Sequence, residues 1–240
     1  MTRKLAWIAM GGLFVGIACL VLAYFAGGRS GGFVPALTGR PCDMHADSAV
    51  TERHLAWPGG DTIEIAVPAT VRYRRGSGSD VVVRGAGHFV ERVALRGHTI
   101  VLACHPIGSP PEIEITLPGE AFDRINLSGS VRLFMESLDQ PALAVNIAGS
   151  GSVQMQGRLE QLSLSVAGSG WARVADLDLQ RLIVKLSGSG HVEASPREDA
   201  KIEIAGSADV RLLIRPKSLQ SRIAGSGRVS QPPPDSAEKK

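Results

Sequence analysis

Apolar and polar residues alternate strictly in short stretches along the second half of the chain, and each stretch ends at a Gly-Ser pair. The pairs begin at Gly129, Gly149, Gly168, Gly188, Gly206 and Gly225, with intervals of 20, 19, 20, 18 and 19 residues. Two residues before each glycine stand Leu127, Ile147, Val166, Leu186, Ile204 and Ile223. Four before it stand Ile125, Val145, Leu164, Val184, Ile202 and, as the exception, Ser221. Between them lie Asn126, Asn146, Ser165, Lys185, Glu203 and Arg222. A period of two is the mark of a half-buried strand. A second alternating stretch follows most pairs, as in Val192-Glu193-Ala194 and Val210-Arg211-Leu212.

A period near 19 residues predicts stacked repeats. Each repeat reads as strand, Gly-Ser corner, strand and return connection. One such unit cannot bury its apolar face alone, whereas a stack buries a continuous core. Glycine turns the corner because it lacks a Cβ, and the serine hydroxyls are expected to satisfy turn amides. Residues 120–229 are therefore predicted to form a β-solenoid of about six rungs, parallel β-helix-like and all-β. A leucine-rich repeat is the rival, through Leu159-x-x-Leu162-x-Leu164. Its period would be longer, and it requires an Asn or Cys that is missing here.

Residues 42–119 alternate less regularly, as in Ile63-Glu64-Ile65-Ala66-Val67 and Ile113-Glu114-Ile115-Thr116-Leu117. They read as irregular N-terminal coils or a cap of the same domain, because end repeats must close the core. Residues 230–240 read as a disordered tail whose prolines blunt the edge of the last rung.

Upstream, Leu5 to Ala26 carry no charge and follow Arg3 and Lys4. As a helix this segment would reach ~33 Å, enough for a hydrocarbon core of ~30 Å. It is expected to be an uncleaved membrane anchor with a cytoplasmic N-terminus. Residues 27–41 are then a flexible linker, and the remainder lies on the far side of the membrane. A cleaved signal with secretion is the alternative.

Net charge is +3, and no basic cluster interleaves with aromatics, so nucleic acid is not an expected partner. In an oxidising compartment Cys42 and Cys104 could pair, typically worth about 2–4 kcal/mol. Cys42, His45, Asp47 and His54 match no closed zinc spacing, and no metal or other cofactor is expected. No catalytic residue is assigned. Asp176, Asp178, Glu193, Glu203 and Asp209 share no common column, whereas a glycoside-cleaving site needs paired carboxylates. Six Gly-Ser pairs at one geometry argue for structural corners rather than nucleophiles.

One position varies instructively. Three residues after the glycine stand Ser152, Trp171, His191, Asp209 and Arg228. Trp171, His191, Asp209 and Arg228 suit a sugar or peptide contact beside the corner, and an exposed Trp is unusual. The alternative is a solvent-facing position that drifts freely, with Trp171 folded over a neighbouring rung.

The runs Ile63 to Tyr73, Ile115-Thr116-Leu117-Pro118, Ile125 to Ser130 and the later Ala-Gly-Ser-Gly corners resemble the bacterial GIN-domain family, the auto-transporter adhesin head domain. The resemblance covers about residues 50–229. It implies a secreted or periplasm-facing β-solenoid without a transferable enzymatic activity. No translocator barrel accompanies it, which sets autotransport aside.

Three functions follow as expectations. The first is a non-enzymatic, membrane-anchored module that binds a cell-envelope glycan or protein, or acts as a scaffold. The second is a polysaccharide-active β-helix enzyme. The third is a structural protein that self-associates through the open solenoid edge.

Overall fold

The computed structural model describes residues 49–76, 78–104 and 112–233. Fifteen strands join in one sheet system, and the fold is an all-β solenoid. The single helix among the described residues, α1 (Gly87–Val90), is one turn long. No helix among the described residues is long and apolar enough to cross a membrane. The expected anchor at residues 5–26, the linker and Cys42 lie outside the described residues.

The regular coils consist of β8 (Arg124–Gly129), β9 (Arg132–Gly149), β10 (Ser152–Gly168), β11 (Trp171–Gly188), β12 (His191–Gly206), β13 (Asp209–Leu212), β14 (Ser218–Gly225) and β15 (Arg228–Ser230). All pair in parallel, and the repeated glycines stand in register: Gly129 beside Gly149, then Gly168, Gly188, Gly206 and Gly225. Six corners bound about five turns. The positions two before each glycine also stand in register, from Leu127 to Ile223. Except for Ile223 they are buried, as expected for the inward side of a period-two strand.

Two local expectations are corrected. The return connections are strand, since β9 to β12 run almost unbroken from one corner to the next. Register shifts around Gln154 to Gly157 and between Val174 and Arg181, together with Gly157 at positive φ, bend the rungs in mid-strand. The serine hydroxyls are also not the partners of the corner amides. Ser169 N donates to Gly149 O at 3.0 Å, and Ser189 N donates to Gly168 O at 2.9 Å. The backbone ladder thus continues around the corner.

The glycines are dictated by this stacking. Gly188 has φ 120°, and a Cβ there would run into the carbonyl oxygen of Gly168. At Gly129, by contrast, an added Cβ would meet nothing within 4 Å. A second small position follows the serine: Gly151, Gly170, Gly190, Ala208 and Gly227. At Gly170 an added Cβ would sit 2.8 Å from Gly151 O.

The N-terminal part continues the stack in a different spatial order. β2 (Thr62–Ala66) pairs in parallel with β8, and β3 (Thr70–Arg74) pairs in parallel with β9. On their other side lie β6 (Thr99–Leu102) and β7 (Ile113–Thr116), also parallel. Residues 62–74 are therefore sandwiched between a later segment and the first regular coil. Antiparallel strands finish this end: β5 (Val93–Arg96) on β6, β4 (Asp80–Ala86) on β7, and β1 (Val50–Ala56) on β4. Trp57, Tyr73 and Phe122 pack edge to face here, with Phe122 5.7 Å from Trp57 and 5.9 Å from Tyr73. The described core holds no buried charged side chain.

Candidate functional site

One path through the sheet runs β1-β4-β7-β3-β9-β10-β11-β12-β13-β15. Residues at alternate positions of these strands point outward together. The first outward column beside the corners reads Thr70, Arg132, Ser152, Trp171, His191, Asp209 and Arg228. The four residues singled out in the sequence thus stand on consecutive strands, about 4.8 Å apart. All four are exposed, and Trp171 retains 43% of its accessible surface.

The second column, two residues along each strand, reads Arg72, Phe134, Gln154, Arg173, Glu193, Arg211 and Ser230. Its charges are largely partnered. Glu193 lies between Arg173 at 3.9 Å and Arg211 at 3.5 Å. Arg72 pairs with Glu114 and stands 5.6 Å from the Phe134 ring centroid. By contrast, no side-chain ion pair or hydrogen bond engages Trp171, His191, Asp209 or Arg228 among the described residues. An aromatic face, an imidazole, a carboxylate and a guanidinium are left facing solvent in a row. Such a row can stack on a flat apolar face and exchange hydrogen bonds with hydroxyl or amide groups.

Sequence reasoning did not find Phe134 with Arg72. They fall in the same outward column, but the cation–π contact needs β3 beside β9, which no periodicity in 50–119 reveals. It also did not find a second feature. Glu160, Asp178, Glu198 and Asp199 line one groove of about 620 Å³ with Arg158 and Arg181. Of the five acids expected to scatter only Asp178 lies here, beside three others, because the bend at mid-rung brings positions 158–160, 178–181 and 198–199 together. Cations hold several of them: Asp178 lies 2.9 Å from Arg197 and 3.4 Å from Arg158, and Glu198 lies 2.7 Å from Lys217. Among the described residues no group of three or more His, Cys, Asp or Glu is placed to hold a metal ion. His54 is hydrogen-bonded to Glu52 at 3.0 Å. Cys104 is nearly buried and disulfide-bonded.

Comparison with known proteins agrees with this geometry. Two solved structures share the fold. One is a putative adhesin from Bacteroides fragilis, with TM-score 0.60 and 16% identity over 80% of this chain and 99% of that one. The other is a putative lipid binding protein from Parabacteroides distasonis, with TM-score 0.50 and 17% identity over 77% of this chain and 97% of that one. At these identities the likeness is one of fold. No curated protein matches the chain. The family model described as "Putative auto-transporter adhesin, head GIN domain" matches residues 61–230. The chain belongs to the GIN-domain family, and its in-register Gly-Ser corners fill the C-terminal part of the matched span, from Gly129 to Ser226.

Proposed function

We propose that this protein is a non-enzymatic recognition module of the bacterial cell envelope, and that its ligand is an envelope glycan bound along the column Trp171, His191, Asp209 and Arg228. The observation that carries the reading is the contrast between neighbouring columns. Ion pairs occupy the second column, while the first presents an exposed Trp and three polar groups without partners. An exposed indole offers a flat face for a sugar ring. His191, Asp209 and Arg228 on the strands that follow supply directional hydrogen bonds. We place the module on the periplasmic side of the inner membrane, tethered through residues 5–26, because Arg3 and Lys4 precede that uncharged stretch.

Co-sedimentation of the purified full chain with peptidoglycan and with envelope polysaccharide tests the site. Saturable binding is expected, and a Trp171→Ala, His191→Ala double variant should lose it while melting normally. Equal binding by the double variant would move the site elsewhere. Protease accessibility in spheroplasts, together with the intact mass of the membrane-extracted protein, tests the topology. A mass lacking the first residues would replace the anchor by a cleaved signal.

A further inference from the structure

The two ends of the solenoid differ in kind. At the N-terminal end antiparallel strands and α1 close the stack. At the other end the last rung, β14 and β15, pairs among the described residues only with the rung below, on β12 and β13. Apolar side chains on this rung and in the connection that leads into it are uncovered. Ile223 is 42% exposed, Leu213 39% and Ile214 38%, and they make three of the five exposed large apolar residues described. Leu219 and Val229 are half-buried beside them. β15 is three residues long and is followed by Pro232 and Pro233, so the long free edge is the eight-residue β14.

Charge marks this end as well. From Leu213 to Pro233 the chain carries Arg215, Lys217, Arg222 and Arg228 and no Asp or Glu. Three of these cations stand over an acid of the rung below. Lys217 lies 2.7 Å from Glu198, Arg222 is in register with Glu203, and Arg228 is in register with Asp209. The outward column Lys185, Glu203 and Arg222 therefore alternates in sign up to the final rung and stops on a cation. Acidic groups on one more strand would continue the alternation, and opposite charges across neighbouring strands are favourable.

We infer that the C-terminal rung is a strand-addition site for an extended segment in which apolar and acidic residues alternate. The added strand runs along β14. It pairs the free backbone groups, covers Leu219 and Ile223 with its apolar side chains, and sets its acids against Arg222 and its neighbours. This is recognition by sheet extension, with main-chain bonds giving affinity and side chains giving specificity. A second copy of this chain fits less well. It would bring either the same cationic rung or the β1 edge, where Glu52 is already held by Arg84 at 2.9 Å and His54 at 3.0 Å. A lipid surface would match the cations and the apolar residues but would leave the strand edge unpaired in a medium without hydrogen-bond partners.

The test uses the full chain and a short labelled peptide alternating Val with Glu, followed by fluorescence anisotropy. The same peptide with Lys in place of Glu is the control. Saturable binding of the Glu peptide alone is expected, weakening with salt. Arg222→Glu should weaken it about tenfold, and Ile223→Lys should do the same. Both positions are solvent-exposed, so the variants are expected to keep their circular dichroism and melting temperature. Arg222→Glu leaves Trp171 and His191 in place, so glycan sedimentation is unchanged and the two readings fail separately. Equal binding of the Lys peptide, no binding, or no effect of Arg222→Glu overturns the inference. So does a concentration-dependent dimer that Arg222→Glu dissolves, or competition by phosphatidylglycerol vesicles.

Discussion

The coils after residue 130 and the segment before it reach the same parallel stacking by different means. In the later coils every buried large side chain is aliphatic, and the backbone itself dictates the corners. In the earlier segment the core takes Tyr73, Phe89 and Phe122. Long-range bonds from side chain to backbone pin it. Tyr73 Oη donates to Glu120 O at 2.9 Å, and Gln140 Nε2 donates to Phe122 O at 2.8 Å. A repeated rung is held by having the same neighbour above and below. An unrepeated rung needs individual locks. The regular half should therefore be most sensitive to backbone bulk, and the irregular half to loss of single polar or aromatic groups.

The largest expected effect compares two glycines of one column. Gly188→Ala forces a Cβ against the Gly168 carbonyl at positive φ, and strain and overpacking together should cost about 3–5 kcal/mol. Gly129→Ala meets no neighbour and should cost about 1 kcal/mol, from its backbone angle alone. Thermal or denaturant melts of the two variants would show the difference. Equal losses would mean that close stacking does not set the corners.

Next in size is a pair of inward aliphatics. Leu182→Ala, in the middle of the stack, should cost about 3 kcal/mol. Ile223→Ala, on the open rung, should cost under about 1 kcal/mol because much of its surface already faces water. Denaturant midpoints at constant slope would measure both.

Tyr73 probes the irregular half. Tyr73→Phe removes the bond to Glu120 O and should cost about 1 kcal/mol near neutral pH. Burial pushes the Tyr73 phenol above the ordinary tyrosine range of 10.0, with Arg75 opposing. The folded state thus holds this proton more tightly than the unfolded chain. Its contribution is fully present below pH 10 and should fade as the pH rises through the folded value. A stability profile taken above pH 9 should fall less steeply in Tyr73→Phe than in the parent.

The smallest effect concerns Ser137, the one described non-glycine residue at positive φ, 57°. It sits at the rung bend, next to Leu138, whose partner in register is Gly157. Ser137→Gly should be neutral or raise stability by up to about 0.5 kcal/mol. A clear loss would show that its side chain, rather than its backbone, shapes the bend.

The period, the corners and the inward columns were legible because stacking demands one residue type at one position, rung after rung. The alignment of Trp171, His191, Asp209 and Arg228 follows from the same constraint. Equal spacing from an in-register glycine places residues side by side. The path of 50–119 was not legible. No repeated corner marks which strands are neighbours, and 62–74 lies between two segments that follow it in the chain. The strand character of the returns was hidden because the mid-rung register shifts, with Gly157 in only one rung, leave no break in composition. The mid-rung acids escaped notice because their column is counted from the bend, not from the glycine.

The in-register column has a metric consequence. Its rungs recur at a pitch of about 4.8 Å, so the outward side chains form a graduated scale. A polymer whose own repeat equals a whole number of graduations meets the scale in phase along its length, and several weak contacts then act as one by effective concentration. A polymer out of phase meets it only once. Gain or loss of a rung lengthens or shortens the scale without changing its divisions. Affinity for long chains can therefore be tuned separately from the choice of which repeat is read.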